Sequence, residues 1–171
     1  PKETAKALAL PASPRRVVLL SGGADSAIGA LLSRSQLTSD EGHILVSHVG
    51  AKILAPIQRE VVAAIEQLFP GPEQVHIPVG LRRRSKQIDG KPFANESSSR
   101  SRSLLFLSLG LAAASINEIP LWIPENGFAS LNPPLAPDRR GSLSTRTTHP
   151  AFLEDLSALL AGAGAHGMIK N

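Results

Sequence analysis

Apolar residues occur along this chain in two rhythms: short unbroken runs, and longer stretches at three-to-four-residue spacing. Val17-Val18-Leu19-Leu20 is a short run rich in β-branched residues, the pattern of a buried strand. Ser21 to Ser26 is a turn of small residues, and residues 27–32 start a helix with Ile28, Leu31 and Leu32 on one face. After a break at Ser39-Asp40-Glu41-Gly42, residues 44–49 read as a second strand. Residues 56–69 repeat Ile57, Val61, Ile65 and Leu68 at helical spacing, and Pro70-Gly71-Pro72 ends that helix. Gln74–Val79 is a third strand, residues 104–116 form a nearly all-apolar helix, and residues 120–123 form a fourth strand. Residues 151–160 close the series as a helix, stopped by Gly162 and Gly164. Two polar stretches, residues 80–103 and 126–150, lack periodicity, and loops of that length are often functional.

Strands alternating with helices imply parallel βαβ units. The expected fold class is therefore α/β, an open parallel sheet with helices on both faces. Residues 1–15 are expected to be an arm and residues 16–171 one domain, as suits a chain of 171 residues. In such a sheet ligands bind beyond the carboxyl ends of the strands. The Ser21 turn, the exit at His48 and the loops after Val79 and Ile123 would share that edge.

Composition narrows the classes. The chain has no cysteine, which excludes disulfides and thiolate zinc sites within it and favours a cytoplasmic protein. No apolar run approaches about 18 uncharged residues, so no membrane span is expected. Pro1-Lys2-Glu3-Thr4 lacks the layout of a secretory signal, and the absence of an initial methionine implies processing or trimming there. The net charge is +4, with Arg82, Arg83, Arg84, Lys86, Lys91, Arg100 and Arg102 close together. Such a cluster is either a solvated loop or a cationic rim for a polyphosphate or another anionic partner. Nucleic acid is disfavoured as a partner, because Phe93 is the lone aromatic residue in the basic stretch.

The candidate chemistry sits in Ser21-Gly22-Gly23-Ala24-Asp25-Ser26. Its glycines permit unusual backbone angles and close approach by a phosphate. Successive N–H groups can form an anion-binding concavity, and the following helix turns its positive end to the same point. Ser21 and Ser26 add hydroxyls. Asp25 would repel bare phosphate, so it is read as a magnesium or water ligand, or as a helix cap. The alternative is an ordinary Gly-rich turn. No Gly-x4-Gly-Lys-Ser/Thr string occurs, which removes the P-loop kinases and GTPases. Gly162-Ala163-Gly164-Ala165-His166-Gly167 spells a dinucleotide fingerprint but follows a helix, so it is read as a helix stop.

Ser-Gly-Gly-x-Asp-Ser after the first strand resembles the signature of the PP-loop ATP pyrophosphatases. Ser101-Arg102-Ser103-Leu104-Leu105-Phe106-Leu107 is similar to the segment of QueC (7-cyano-7-deazaguanine synthase) in which an arginine precedes an apolar helix. The strings at residues 95–102, 123–128 and 142–150 look most like the QatC-like proteins of Qat anti-phage defence systems. The resemblance covers about residues 16–170. It implies a PP-loop (adenine nucleotide alpha hydrolase-like, Rossmann-like) fold, with ATP and Mg2+ as cofactors. It also implies adenylation of a carboxylate, plausibly of 7-deazaguanine type, with release of pyrophosphate. A nucleophile then displaces AMP: ammonia in QueC, and in defence relatives a partner protein's amine. A homodimer is carried as an open expectation. Two departures stand out. QueC enzymes hold zinc on C-terminal cysteines that this chain lacks, and QatC-like proteins continue past the position of Asn171, so a truncated domain is expected.

The remaining candidates follow from their places. Arg102 starts a helix and would clamp a phosphate or the developing pyrophosphate; the alternative is surface charge. Arg100 is balanced between the same readings. The resemblance places adenine near His48, held through backbone atoms, while a strand-end histidine is commonly structural. Glu125 and Asn126 would read the second substrate or position magnesium, or simply make a turn with Gly127. Arg146 would bind a carboxylate and His149 would shuttle a proton from a loop closing over the site. Two other function classes stay open: an ATP-binding sensor or subunit without turnover, and an RNA-modifying sulfurtransferase, against which the missing cysteines count.

Overall fold

The computed structural model describes residues 10–71, 73–80, 89–91, 100–116, 118–125, 148–162, 164 and 169–170, with the side chains of 100–102 outside that set. Within it the elements run β1 (Pro14–Leu19), α1 (Ala24–Ser35), β2 (Gly42–His48), α2 (Leu54–Leu68), β3 (Gln74–Val79), α3 (Arg100–Ser115), β4 (Leu121–Trp122), α4 (Pro150–Gly162) and β5 (Ile169–Lys170). The sheet is all-parallel in the order β3-β2-β1-β4-β5.

Strand pleating divides the core in two. Val17 and Leu19 of β1, with Ile44 and Val46 of β2, face Leu107 and Ala114 of α3 and Leu153 and Leu156 of α4. Val18, Leu20 and Leu45 face the other way, onto Ala30 of α1 and Ile65 of α2. Helices therefore cover both faces, as expected. Val17, Val18, Leu20, Ile44 and Leu45 are fully buried, each contributing roughly 1.5–3 kcal/mol from surface removed from water. The chain steps from β1 to β2 to β3 along one side, then crosses back over β1 to β4. The strand order thus reverses between β1 and β4, the point where open α/β sheets offer a crevice.

Several boundaries and faces differ from the sequence expectation. β1 begins at Pro14, so Pro14 and Arg15 belong to the sheet and not to an arm, and Leu10 packs on the core. β5 was not anticipated: at two residues it is held by pairing with β4 and carries no periodicity of its own. On α1 the buried positions are Ser26, Ala30, Ser33 and Arg34, while Ile28 and Leu32 are 60% and 55% exposed. On α2 Gln58 and Ile65 are buried, and Leu68 is 62% exposed. Small residues let α1 lie close to the sheet, with Leu31 partly packed on it and Ile28 and Leu32 turned outward.

Candidate functional site at the carboxyl edge of β1 and β4

β1 is anchored to the end by the Leu20 N–H bond to Val46 O, 2.8 Å, and the chain then turns sharply. Gly22 has φ +96°, a left-handed conformation that glycine adopts without steric cost, and Gly23 caps α1 at φ −81°. The turn is closed by its own hydroxyls. Ser26 Oγ donates to Gly23 O at 2.9 Å, so its oxygen accepts from the Gly22 N–H at 3.2 Å and from the Ser21 hydroxyl at 2.9 Å. Ser21 Oγ in turn accepts the Gly23 N–H at 3.3 Å. Gly23 gives α1 no side-chain cap, and the first intrahelical bond is Ala27 N–H to Gly23 O at 3.0 Å. The N–H groups of Ala24, Asp25 and Ser26 precede that ladder and lie at the positive end of the helix. Asp25 is exposed in the first turn, where a carboxylate is favourable to the helix.

A residue that sequence reasoning missed braces this turn. Gln58 of α2 is fully buried, and its Nε2 donates to Ser21 O at 3.1 Å and to His48 O at 3.3 Å. Two carbonyl acceptors fix the amide orientation. Gln58 thereby ties the carboxyl ends of β1 and β2 together, while its Oε1 is buried with no hydrogen-bond partner among the described residues. The signal was a polar residue three before Val61 and seven before Ile65, on the face that packs against the sheet.

Next to the turn, at the strand-order reversal, lies a cavity of about 170 Å³. Ser21 and Ser26 form one side, Ser103 and Phe106 of α3 another, and Glu125 and Thr148 the rest of the polar rim. Leu19, Leu107 and Ile123 give it an apolar floor. Its size is near that of a cavity of about 150 Å³ that accommodates benzene, enough to take one chemical group of a larger ligand. Pro124 is seated on Gly29: a Cβ there would lie 2.1 Å from Pro124 Cβ, so the absent side chain lets the Glu125 segment approach α1.

The structure therefore brings Ser21, Ser26 and Glu125 to one cavity, with Gly22, Gly23, Ala24 and Asp25 in the adjoining turn. His48 ends β2 on the same edge, half-buried, and contributes its carbonyl to the Gln58 bridge. His149 precedes α4; its Nδ1 accepts the Ala151 N–H at 3.2 Å and its carbonyl accepts from Leu153, a helix-capping arrangement. Nε2 is the ring nitrogen that stands outside this cap. Arg102 lies in the first turn of α3, one residue before the cavity-lining Ser103. The side chains of Arg100 and Arg102, and all of Asn126, Arg146, Arg82, Arg83, Arg84 and Lys86, lie outside the described residues. Lys91 is exposed and pairs with Asp89 at 3.3 Å.

A second polar cluster sits at the opposite edge. His43 Nε2 is 3.1 Å from Ser33 Oγ, and His43 Nδ1 is 3.1 Å from Gln74 Oε1. Gln74 Nε2 donates to Val62 O at 3.3 Å, which leaves Oε1 as the acceptor of an Nδ1–H. Ser33 then donates to Nε2. Ser33 and His43 are fully buried. Burial drives the His43 pKa down to about 4, with Arg34 and Arg16 adding to the shift and the Gln74 bond opposing it. A serine, a base and an orienting group stand at hydrogen-bonding distances, yet no substrate can reach them, so this cluster joins α1, β2, β3 and α2 structurally.

Fold and site together define a Rossmann-like α/β domain whose anion-suited turn lies at the reversal point of a five-stranded parallel sheet. Against known proteins, no family model matches the chain and no curated protein does.

Proposed function

We propose that this domain is a PP-loop ATP pyrophosphatase of the QueC-like group, nearest in character to the QatC-like proteins of anti-phage defence. In this reading the Ser21–Ser26 turn holds the ATP phosphates. A carboxylate oxygen of a 7-deazaguanine acid attacks the α-phosphorus and pyrophosphate leaves. An amine of a partner protein, or ammonia, then displaces AMP. The carrying observation is that the glycine turn, the uncapped N-terminus of α1 and the cavity rim of Ser21, Ser26 and Glu125 coincide at one point of the sheet edge.

The backbone N–H groups of Ala24, Asp25 and Ser26, which precede the helical ladder, suit the departing pyrophosphate, because they need no reorganisation as its charge develops. Arg102 is assigned to the same charge, Glu125 and Asn126 to the second substrate, Arg146 to its carboxylate and His149 to proton transfer. Among the described residues no cluster of three His, Asp or Glu exists that would hold a resident metal. One exposed carboxylate, Asp25, suits a Mg2+ that arrives on the triphosphate, since such ions are commonly held by one or two carboxylates plus phosphate oxygens.

The test is pyrophosphate release from ATP in the presence of a 7-deazaguanine carboxylate. Turnover is expected, with a loss of about a hundredfold or more in Asp25→Ala, as for loss of a group stabilising the transition state. No release by the wild-type chain, together with tight ATP binding, would leave an ATP-binding subunit without turnover. No ATP binding would remove both readings.

A further inference from the structure

We infer that Gln58 is a positioning residue for the phosphate turn, acting through the Ser21–Gly22 peptide. The inference rests on the proposed function for its ligand, and deepens it by naming what sets the first peptide of the turn, and through Ser26 the helix N-terminus that follows it.

The geometry starts from the planar trans peptide, in which the carbonyl of one residue and the N–H of the next point in opposite directions. Gln58 Nε2 holds Ser21 O at 3.1 Å. The Gly22 N–H is therefore aimed away from α2, and it reaches Ser26 Oγ at 3.2 Å, across the turn. Without that hold, only the Gly22 N–H bond to Ser26 Oγ would resist rotation of the peptide, because glycine follows it and tolerates either sign of φ. The same amide nitrogen holds His48 O at 3.3 Å, so the turn is referenced to the end of β2 as well as to β1. The N–H of that same His48–Val49 peptide is itself fixed on Val79 O at 2.9 Å. One side chain thus sets the turn against three strands. Contact is close: a Cβ on Gly22 would lie 3.4 Å from Gln58 Cγ.

The choice of glutamine is informative. Its Oε1 is buried with no partner among the described residues, which is unfavourable for stability. A methionine of similar length would fill the same space without that cost. The polar residue is accounted for by what its Nε2 does at the turn, as expected where a local packing rule is broken at a functional site.

The experiment is calorimetric binding of ATP, inorganic pyrophosphate and adenosine to the wild-type chain and to Gln58→Met, with unfolding midpoints measured alongside. Gln58→Leu, which also lacks the donor and buries no unpaired polar atom or charge, serves if the methionine variant does not fold. The expected result is a parallel loss of about tenfold for ATP and pyrophosphate, the scale of one hydrogen bond to an anion. Adenosine affinity is expected to stay as in the wild type, with a modest fall in the unfolding midpoint because Ser21 O and His48 O lose their donor. Unchanged ATP affinity in a folded variant would overturn the inference and leave the proposed function standing. So would an equal loss for adenosine and ATP with a lowered midpoint, since that marks general loosening. If the wild-type chain binds neither ATP nor pyrophosphate, the functional reading fails first and takes the inference with it.

Discussion

The two edges of the sheet carry much the same polar vocabulary and put it to opposite uses. At the amino edge Ser33, His43 and Gln74 form a closed chain in which each described group has its partner, and Ser33 and His43 are sealed from water. At the carboxyl edge Ser21, Ser26 and Gln58 also form hydrogen bonds, but around a turn that opens on a cavity and an uncapped helix end. The amino-edge trio has the spacing of a nucleophile and its base, yet no access. What separates a site from a staple here is exposure of the donors and the backbone angle at Gly22, not the residue types.

That contrast can be broken most forcefully at His43. His43→Leu would leave Ser33 Oγ and Gln74 Oε1 without their partner, at about 1–3 kcal/mol for each unsatisfied group. Urea unfolding is expected to show a loss of about 2–6 kcal/mol, while ATP affinity of the folded protein is retained. A matching loss of ATP affinity would show that the edges are coupled.

Acid probes the same staple more gently. His43 has its pKa depressed from 6.5 to about 4, chiefly by burial, so the folded state favours the neutral ring. Its contribution is complete above pH 6.5, the ordinary value, and is lost as the pH falls toward 4. At about 1.4 kcal/mol per pH unit the total is up to about 3 kcal/mol. His76, lowered by burial and by Arg59, adds in the same direction. Denaturation curves across this window should show the slope in the wild type and a shallower one in His43→Leu.

At the carboxyl edge, Gly29→Ala gains helix propensity of roughly 1 kcal/mol but forces Pro124 away, at about 1–3 kcal/mol for overpacking. A small net loss in unfolding midpoint and a clear fall in pyrophosphate release are expected. Unaltered release would mean that the seat of Pro124 does not position Glu125. The mildest change is Arg16→Met. Arg16 stacks 4.3 Å from the Trp122 ring centroid and bonds Gln36 at 3.0 Å, and its removal should cost about 0.5–1 kcal/mol with no effect on ATP.

Much of the frame was legible in the sequence because short apolar runs report strands directly: Gln74–Val79 has its observed bounds, and the strand–turn–helix around Ser21 forms as read. Helix faces were less legible. Apolar periodicity assigns Ile28, Leu32 and Leu68 inward, whereas α1 approaches the sheet through Ser26, Ala30 and Ser33 and holds Arg34 buried with a bond to Phe69 O at 2.9 Å. Small and hydrogen-bonded residues leave no hydrophobic signature. Gln58 was passed over for the same reason: its role depends on two carbonyls distant in sequence, which no local pattern encodes.

Trp122 gives the fold an intrinsic optical reporter. It is the chain's one tryptophan, and there is no tyrosine, so ultraviolet emission comes from a single indole. That indole packs on the sheet face covered by α1 and α2, stacks on Arg16, and keeps its Nε1 buried without a partner among the described residues. Its emission should lie toward the blue and shift to the red as that half of the core opens. Unfolding can then be followed in unlabelled protein, with Arg16→Met as the calibration for the stacked cation.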